Sequence, residues 1–449
     1  MPINIEVSDP KPDLKVLPAR RDHKKKVLLG VGIALIVCTV TGVGVAVELA
    51  REKEIDYYMI AVQVASEYPN ATSAEALHPA FAAWMATHAK QYETGEEVLA
   101  AMRAYTEVDQ IINEHNAKNL TYTLGHNAYS DLPANARNRR NGHISRPPKT
   151  EQNAPRTAPT PSRRELSSVP SSVDWVSAGA VTAIKDQGTC GSCYSFASTG
   201  ALEGAYEIAG YTLTSFSEEM IVQCADDGVN LLGCDGGNAD SVFGWIESHG
   251  LASESAYPYT SSQTVTYSYA GACDTAKESS PVVELTGFQD VTANDESALK
   301  AAVAQQPVAV AIDASGNDFQ SYASGVYDST TCTTQTDHAV LIVGYGTDPT
   351  GGDYWKVKNS WGTSWGEAGY IRMKRGVNMC GIATEASYPT GVGPYSPSPP
   401  SSSYTYSGCS ECSNTCQWSY DGECDDGGSG SEYSACTYAT DCYDCGNRC

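Results

Sequence analysis

The chain has 449 residues, enough for about three domains at roughly 150 residues each. With 41% hydrophobic and 18% charged residues it can build a core, which excludes a chain disordered throughout. Its 53 acidic and 29 basic residues give a net charge of −24, so no nucleic-acid partner is expected, since phosphate binding needs a basic face.

Residues 1–26 are a polar lead that closes on Arg20, Arg21, Lys24, Lys25 and Lys26. Residues 27–47 follow, 21 in a row without a charge. At 1.5 Å per residue they span ~30 Å, one bilayer core. The basic flank keeps the N-terminus cytoplasmic. The span therefore reads as the transmembrane signal-anchor of a single-pass type II precursor. A cleaved signal peptide, with Gly44-Val45-Ala46 as its cleavage site, is the competing reading. Both send the remainder into the secretory pathway, toward a lysosome, a vacuole or the exterior. Sixteen cysteines suit an oxidising compartment. The triplets at Asn70 and Asn119 are glycosylation acceptors.

Residues 78–135 read as helical, then extended. Phe81, Trp84 and Met85 share one helical face, and Val98, Met102, Tyr105, Val108 and Ile112 another. Residues 136–166, rich in Pro, Asn, Arg and Thr, read as an exposed, cleavable linker that includes Arg139-Arg140 and Arg163-Arg164. Charge changes sharply here. Residues 1–166 carry 20 basic and 19 acidic residues, residues 167–390 carry 8 and 26, and residues 391–449 carry 1 and 8.

The 167–390 segment holds seven cysteines: 190, 193, 224, 234, 273, 332 and 380. An odd number leaves one thiol without a partner in an oxidising compartment. The loop Gln187-Gly188-Thr189-Cys190-Gly191-Ser192 precedes a helical pattern through Phe196, Ala197, Ala201, Leu202 and Ala205, with Gly210 as its stop. Cys193 then sits at a helix N-terminus, where the dipole favours a thiolate. A thioredoxin-like motif would need a βαβ frame, and zinc a second ligand pair; neither is visible.

At these residues the sequence resembles the papain/cathepsin L family of cysteine proteases. Cys190-Gly191-Ser192-Cys193-Tyr194 fits its local signature, with Tyr194 where most members have Trp. Thr336-Asp337-His338-Ala339-Val340 looks like the family's histidine segment, and Lys358-Asn359-Ser360-Trp361-Gly362 like its asparagine segment. His338 follows Cys193 by 145 residues and Asn359 by 166. Gly233-Cys234-Asp235-Gly236-Gly237 matches a further loop. The resemblance implies an α+β, two-lobed papain-like fold over 167–390, one lobe helical and one a β-barrel, preceded by a mainly helical propeptide. It implies a thiol endopeptidase made as an inactive precursor and acting on polypeptides through an acyl-enzyme. Cys193 is the implied nucleophile, His338 its base and Asn359 the orienter. Gln187 with the Cys193 N–H would bind the oxyanion, and Trp361 would shield the His338–Asn359 bond. The implied disulfides are Cys190–Cys234, Cys224–Cys273 and Cys332–Cys380. Gly236 and Gly237 would pair with substrate backbone, while Asn238, Ala239, Ala311, Thr336, Ala339 and Glu385 would line the second subsite. A carboxylate at Glu385 would admit Arg or Lys there; a solvated glutamate turned away is the competing reading.

The second helix of 78–135 resembles the family's inhibitory propeptide. Glu97, Tyr105, Ile112 and Asn116 fall on its spacing, and Gly125 to Asp131 on its second motif. Ala101 and Val108 replace its usual Arg and Asn, which puts its helix-stabilising ion pairs in question. The mature chain is expected to start near 166–169. No His-rich insertion lies between Cys234 and Cys273, which favours an endopeptidase over a trimming exopeptidase. A catalytically silent surface protein presenting the tail is the alternative from another class.

Residues 391–408 are a Pro/Ser linker. The module 409–449 packs eight cysteines into 41 residues and needs staples in place of a core. Four disulfides of unknown connectivity are expected. Its acidic residues make a structural knot or, alternatively, a calcium site. No other cofactor and no catalytic metal are expected.

Overall fold

The computed structural model describes residues 55–67, 73–145, 169–261 and 271–396. The lead 1–26, the span 27–47 read as a signal-anchor, the acceptor Asn70, the Arg163-Arg164 pair and the module 409–449 with its calcium reading lie outside them. Among the described residues no helix is long and apolar enough to cross a membrane.

Three helices open the described chain: α1 (Tyr57–Glu67), α2 (Ala74–Thr87) and α3 (Gly95–Asn116). A capping box starts α3, with the Thr94 side chain on the Glu97 N–H and the Glu97 carboxylate on the Thr94 N–H. Apolar residues at helical spacing then bring Val98, Ala101, Met102 and Tyr105 against Phe81 and Trp84 of α2 and Ala61 and Val64 of α1. The predicted helical unit thus begins one helix early. Ala101 and Val108, the departures from the family pattern, are 4% and 1% exposed. Packing takes the place of ion pairs there: Ala101 joins the helical core, and Val108 joins the core of the sheet lobe.

β1 (Tyr122–Leu124) next pairs antiparallel with β6 (Tyr322–Tyr327), Tyr122 facing Gly325. Gly325 has φ 95°, and a Cβ there would meet the Thr121 carbonyl at 2.3 Å. Only glycine lets the two backbones approach.

The remaining strands are β2 (Val173–Asp174), β3 (Val283–Glu284), β4 (Gly287–Asp290), β5 (Val308–Ile312), β7 (His338–Asp348), β8 (Gly352–Lys358), β9 (Tyr370–Lys374), β10 (Ala386–Thr390) and β11 (Gly393–Pro394). The main sheet runs β1-β6-β9-β8-β7-β5-β10-β4, with β2 on β7. Its pairings are antiparallel except β6 with β9. β5 and β7 are buried on both faces, so both read as unbroken apolar runs. Val308, Val310, Ile312, Val340 and Ile342 enter the sheet-lobe core; Ala309, Leu341 and Val343 enter the helical-lobe core.

The helical lobe centres on α4 (Cys193–Ile208), with α5 (Glu218–Cys224) and α6 (Ala239–His249) beside it. Gly200 and Gly204 set how closely α4 approaches the sheet. Added Cβ atoms would lie 2.8 Å from Leu341 Cδ2 and 2.6 Å from Pro307 Cγ. The disulfides are Cys190–Cys234, Cys224–Cys273 and Cys332–Cys380. Cys193 is a free, buried thiol.

The stretch read as an exposed linker differs at its start. Asn138–Arg140 forms a helical turn, and 141–145 run on between the lobes. Arg140 is fully buried. Its guanidinium lies 4.0 Å from the ring centroids of both Tyr129 and Trp361, and Nη2 donates to Gln320 Oε1 at 2.6 Å. A planar cation between two rings, with a hydrogen bond at its edge, offsets much of the cost of burial. Local composition gives no sign of partners so far along the chain. Residues 146–166 lie outside the described part.

Candidate active site

Cys193 is the first residue of α4, and the Ser192 carbonyl accepts the first helical N–H bonds from Ser195 and Phe196. The helix dipole thus points its positive end at the sulfur. Two backbone N–H groups reach Sγ: Ala339 at 3.4 Å and Gly142 at 3.3 Å. The first ties the thiol to the strand that begins at His338.

His338 and Asn359 meet because β7 and β8 pair antiparallel, Leu341 facing Lys358. His338 Nε2 lies 2.9 Å from Asn359 Oδ1, and the same oxygen accepts the Ser360 N–H at 2.8 Å. An oxygen already accepting a backbone donor identifies the amide's acceptor end. Nε2 therefore carries the proton, and Nδ1 is left with its lone pair and without a hydrogen-bond partner among the described residues. Trp361, fully buried, has its ring centroid 4.7 Å from that of His338.

Gln187 is held at both ends. Its Oε1 accepts from Ser360 Oγ at 2.6 Å, and its Nε2 donates to the carbonyls of Cys190 and Arg140, each at 2.8 Å. Ser360 thereby fixes which end of the amide faces the cleft, a role the sequence reading did not assign.

Residues 141–145 cover this group. Gly237 donates to the Gly142 carbonyl at 2.8 Å and accepts from the Ile144 N–H at 2.9 Å. Asn141 Nδ2 donates to Asp337 Oδ2 at 2.9 Å. Gly142 is required to be glycine, since a Cβ would fall 1.8 Å from the Gly191 carbonyl. Gly237 likewise leaves no room for a Cβ beside the Tyr194 ring, 2.7 Å away.

Burial dominates the electrostatics under this cover. It pushes the Cys193 thiol up to about 11, against the backbone N–H groups of Ala339, Gly142 and Tyr194 that favour the thiolate. It pulls the His338 imidazole down to about 3, against the hydrogen bond to Asn359 and with help from Arg140. Both groups are neutral while residues 141–145 lie over them.

The proposed second-subsite residues divide. Ala311 faces Ala339 across β5 and β7, and the Ala311 N–H donates to the Glu385 carbonyl at 3.0 Å, so these three adjoin. Thr336 is half-buried nearby, against Gly381. Gly236 (φ 125°) precedes Gly237, which pairs with Gly142 and Ile144 of the covering segment. Ala239 opens α6, and the Asn238 side chain caps that helix by accepting from the Ser241 N–H at 3.0 Å. Its oxygen is therefore committed to the helix. The sequence reading did not single out His143. Its Nε2 stands 3.3 Å from Glu385 Oε2. A lone histidine in a polar stretch carries no signal that would have found it.

Among the described residues, Cys224, Cys273 and Glu278 gather atoms that could hold a metal, but both cysteines are in one disulfide and offer no thiolate.

The pattern of papain family cysteine proteases matches residues 169–390, and that of the cathepsin propeptide inhibitor domain (I29) matches residues 81–134. Vignain of Ricinus communis is 45% identical, over 61% of this chain and 76% of the relative. The probable cysteine protease RD21B of Arabidopsis thaliana is 41% identical, over 75% of this chain and 73% of the relative. Among solved structures, a recombinant stem bromelain precursor superposes with TM-score 0.63 at 36% identity, covering 70% of this chain and 98% of that one. A digestive procathepsin L 3 of Tenebrio molitor gives TM-score 0.61 at 37% identity, covering 70% and 99%.

Proposed function

Since the chain belongs to the papain family of cysteine proteases and carries that family's inhibitor domain as a zymogen does, we propose that Cys193 is its nucleophile, His338 its general base and acid, and Asn359 the residue that orients His338. The observation that carries this is the His338–Asn359 bond, which leaves Nδ1 as the basic nitrogen. Once the cover leaves, water and the helix dipole restore the charged forms, and the Cys193 proton passes to Nδ1. The thiolate attacks the scissile carbonyl. The Gln187 amide, freed from the Arg140 carbonyl, and the Cys193 N–H receive the oxyanion. His338 then protonates the leaving amine, and water hydrolyses the thioester. Hydrolysis of this kind needs no cofactor.

Gly236 and Gly237 pair with extended substrate, and Glu385 gives the second subsite a preference for basic side chains beside bulky apolar ones. The three disulfides suit an oxidising compartment. The precursor enters the secretory pathway, anchored through 27–47, and cleavage near 166–169 releases the peptidase from the membrane.

The test is the full precursor beside its Cys193→Ala form, both held at pH 4.5 with mild reductant. Loss of the propeptide is followed first, then cleavage of a fluorogenic peptide with Phe at P2 and Arg at P1. Wild type alone should process and cleave. A folded wild type that stays silent would reject the reading in favour of a binding protein.

A further inference from the structure

Of residues 141–145, His143 sets its side chain against Glu385, the proposed floor of the second subsite. Its backbone is clamped. The His143 N–H donates to the Asp337 carbonyl at 2.9 Å, and its neighbours Gly142 and Ile144 pair with Gly237 at 2.8 and 2.9 Å. The imidazole is 4% exposed, and the Glu385 side chain beside it is 16% exposed. Nε2 sits 3.3 Å from Glu385 Oε2, a contact that is an ion pair when the imidazole is protonated; neither ring nitrogen makes an aligned hydrogen bond among the described residues.

Two carboxylates, Glu385 and Asp337, and the buried Arg140 are the charged groups near it. Glu385 comes from the residue before β10, and Asp337 and His338 from the start of β7. Asp337 feels the His143 charge, and Arg140 acts on the same His338 imidazole as His143 does. Asp337 also holds Asn141, two residues before His143. His338 adds no charge here, because burial keeps it neutral. A proton on His143 therefore meets one carboxylate at contact distance and a second nearby.

We propose that His143 is an ionic plug for the second subsite: its imidazolium on Glu385 locks residues 141–145 over Cys193, and the lock tightens on mild acidification. The inference rests on reading Glu385 as the floor of that subsite, and it deepens that reading. It gives the inhibitor segment a selectivity of its own, for a cleft whose second subsite ends in a carboxylate. It also sets a brake on activation. A histidine–carboxylate pair is ionic only while the imidazole is protonated, so acid strengthens the plug. The cover then yields only to stronger acid or to a protease acting from outside.

The experiment uses the full precursor as wild type, His143→Gln, Glu385→Gln and the double variant. Iodoacetamide alkylation of Cys193 is timed by intact mass near pH 5 and pH 8. Each rate is divided by that of the mature form of the same variant, which cancels differences in thiol reactivity. Each single variant should speed alkylation about fivefold to tenfold at the lower pH, with the double no faster than either and the effect under about twofold at the higher pH. Additive effects, equal effects at both pH values, or no effect would each overturn the plug. A His143→Phe precursor protected as well as wild type would also overturn it, showing a plug of shape alone. The P2 preference of mature Glu385→Gln reads the subsite separately. If it is unchanged, the subsite reading fails; if it shifts while the precursor rates are additive, the plug alone fails.

Discussion

One amide oxygen on Asn359 accepts from both His338 and Ser360, and that small fact gives the site its direction. A residue with a different acceptor geometry at 359 would leave the imidazole free to choose its tautomer. At this scale much of the site was legible. Cys193 stood out as the odd thiol in a loop before a helix, and His338, Asn359 and Gln187 came with the family pattern. Asn238 shows what spacing cannot tell: the same residue type that lines a pocket also caps a helix, and here its oxygen caps α6. Glu385 carries the sharpest single-residue prediction. The mature enzyme should cleave peptides with Arg at P2 at a rate comparable to those with Phe. Glu385→Ala should lower the Arg-to-Phe ratio of kcat/KM about tenfold or more, the usual worth of a charged hydrogen-bonded contact. Equal discrimination by wild type and variant would sink the assignment.

Between the Lys185 loop and helices α4 and α5 lies a buried charge cluster. Lys185 Nζ reaches Glu203 at 2.9 Å and Glu218 at 2.6 Å. With Lys358 also facing Glu203, two ammonium groups meet the three carboxyls of Glu203, Glu218 and Glu254, and one carboxyl is left uncompensated. Burial raises Glu218, and burial followed by the Glu218 charge pushes Glu254 up to about 7. Glu218 Oε2 and Glu254 Oε2 are both buried without a donor among the described residues, which suits one proton held between them. A carboxyl raised in the folded state contributes its stability below the ordinary carboxylate range. That contribution is lost as pH climbs from about 4.5 to about 7. Glu254→Gln keeps an acceptor for the Tyr259 N–H and supplies a permanent donor toward Glu218. It should raise Tm by about 2–4 °C at pH 8 and leave it unchanged near pH 4.5. The same shift at both values, or a loss at pH 8, would reject the shared proton. None of this was legible in the sequence, where Glu203, Glu218 and Glu254 look like ordinary helix and loop surface. By contrast α4 was readable as an element, because its apolar spacing and its stop at Gly210 agree with the tertiary packing.

For the molecule as a whole, covering the cleft and charging His338 exclude each other. The imidazole is held down to about 3 under the cover, while one open to water returns toward about 6.5. The His338 contribution to the closed form is thus complete above about 6.5 and is lost as pH falls toward 3, against the His143–Glu385 contact, which acts in the opposite sense. The 26 acidic and 8 basic residues of 167–390 act in the same sense as His338, since protonating carboxylates weakens their hold on the more basic leading segment. Self-processing of the precursor should run several-fold faster at pH 4.5 than at pH 7.5 in a gel time course. Equal rates would reject acid opening. The two-lobed layout was legible from ordered motifs, yet the route of 138–145 through the cleft was not. Its anchors at Tyr129, Trp361, Gln320 and Asp337 are fixed only once the lobes exist. A last consequence follows from β1. Val326 donates to the Thr121 carbonyl and Gly125 to the Ser321 carbonyl, so β6 is an interior strand only while the N-terminal unit stays. Maturation turns β6 into a bare rim of six uncharged residues, Tyr322 to Tyr327, with no lysine or proline to repel a stray strand. The segment that covers the cleft therefore also caps this edge of the sheet, and its removal leaves that edge open to solvent.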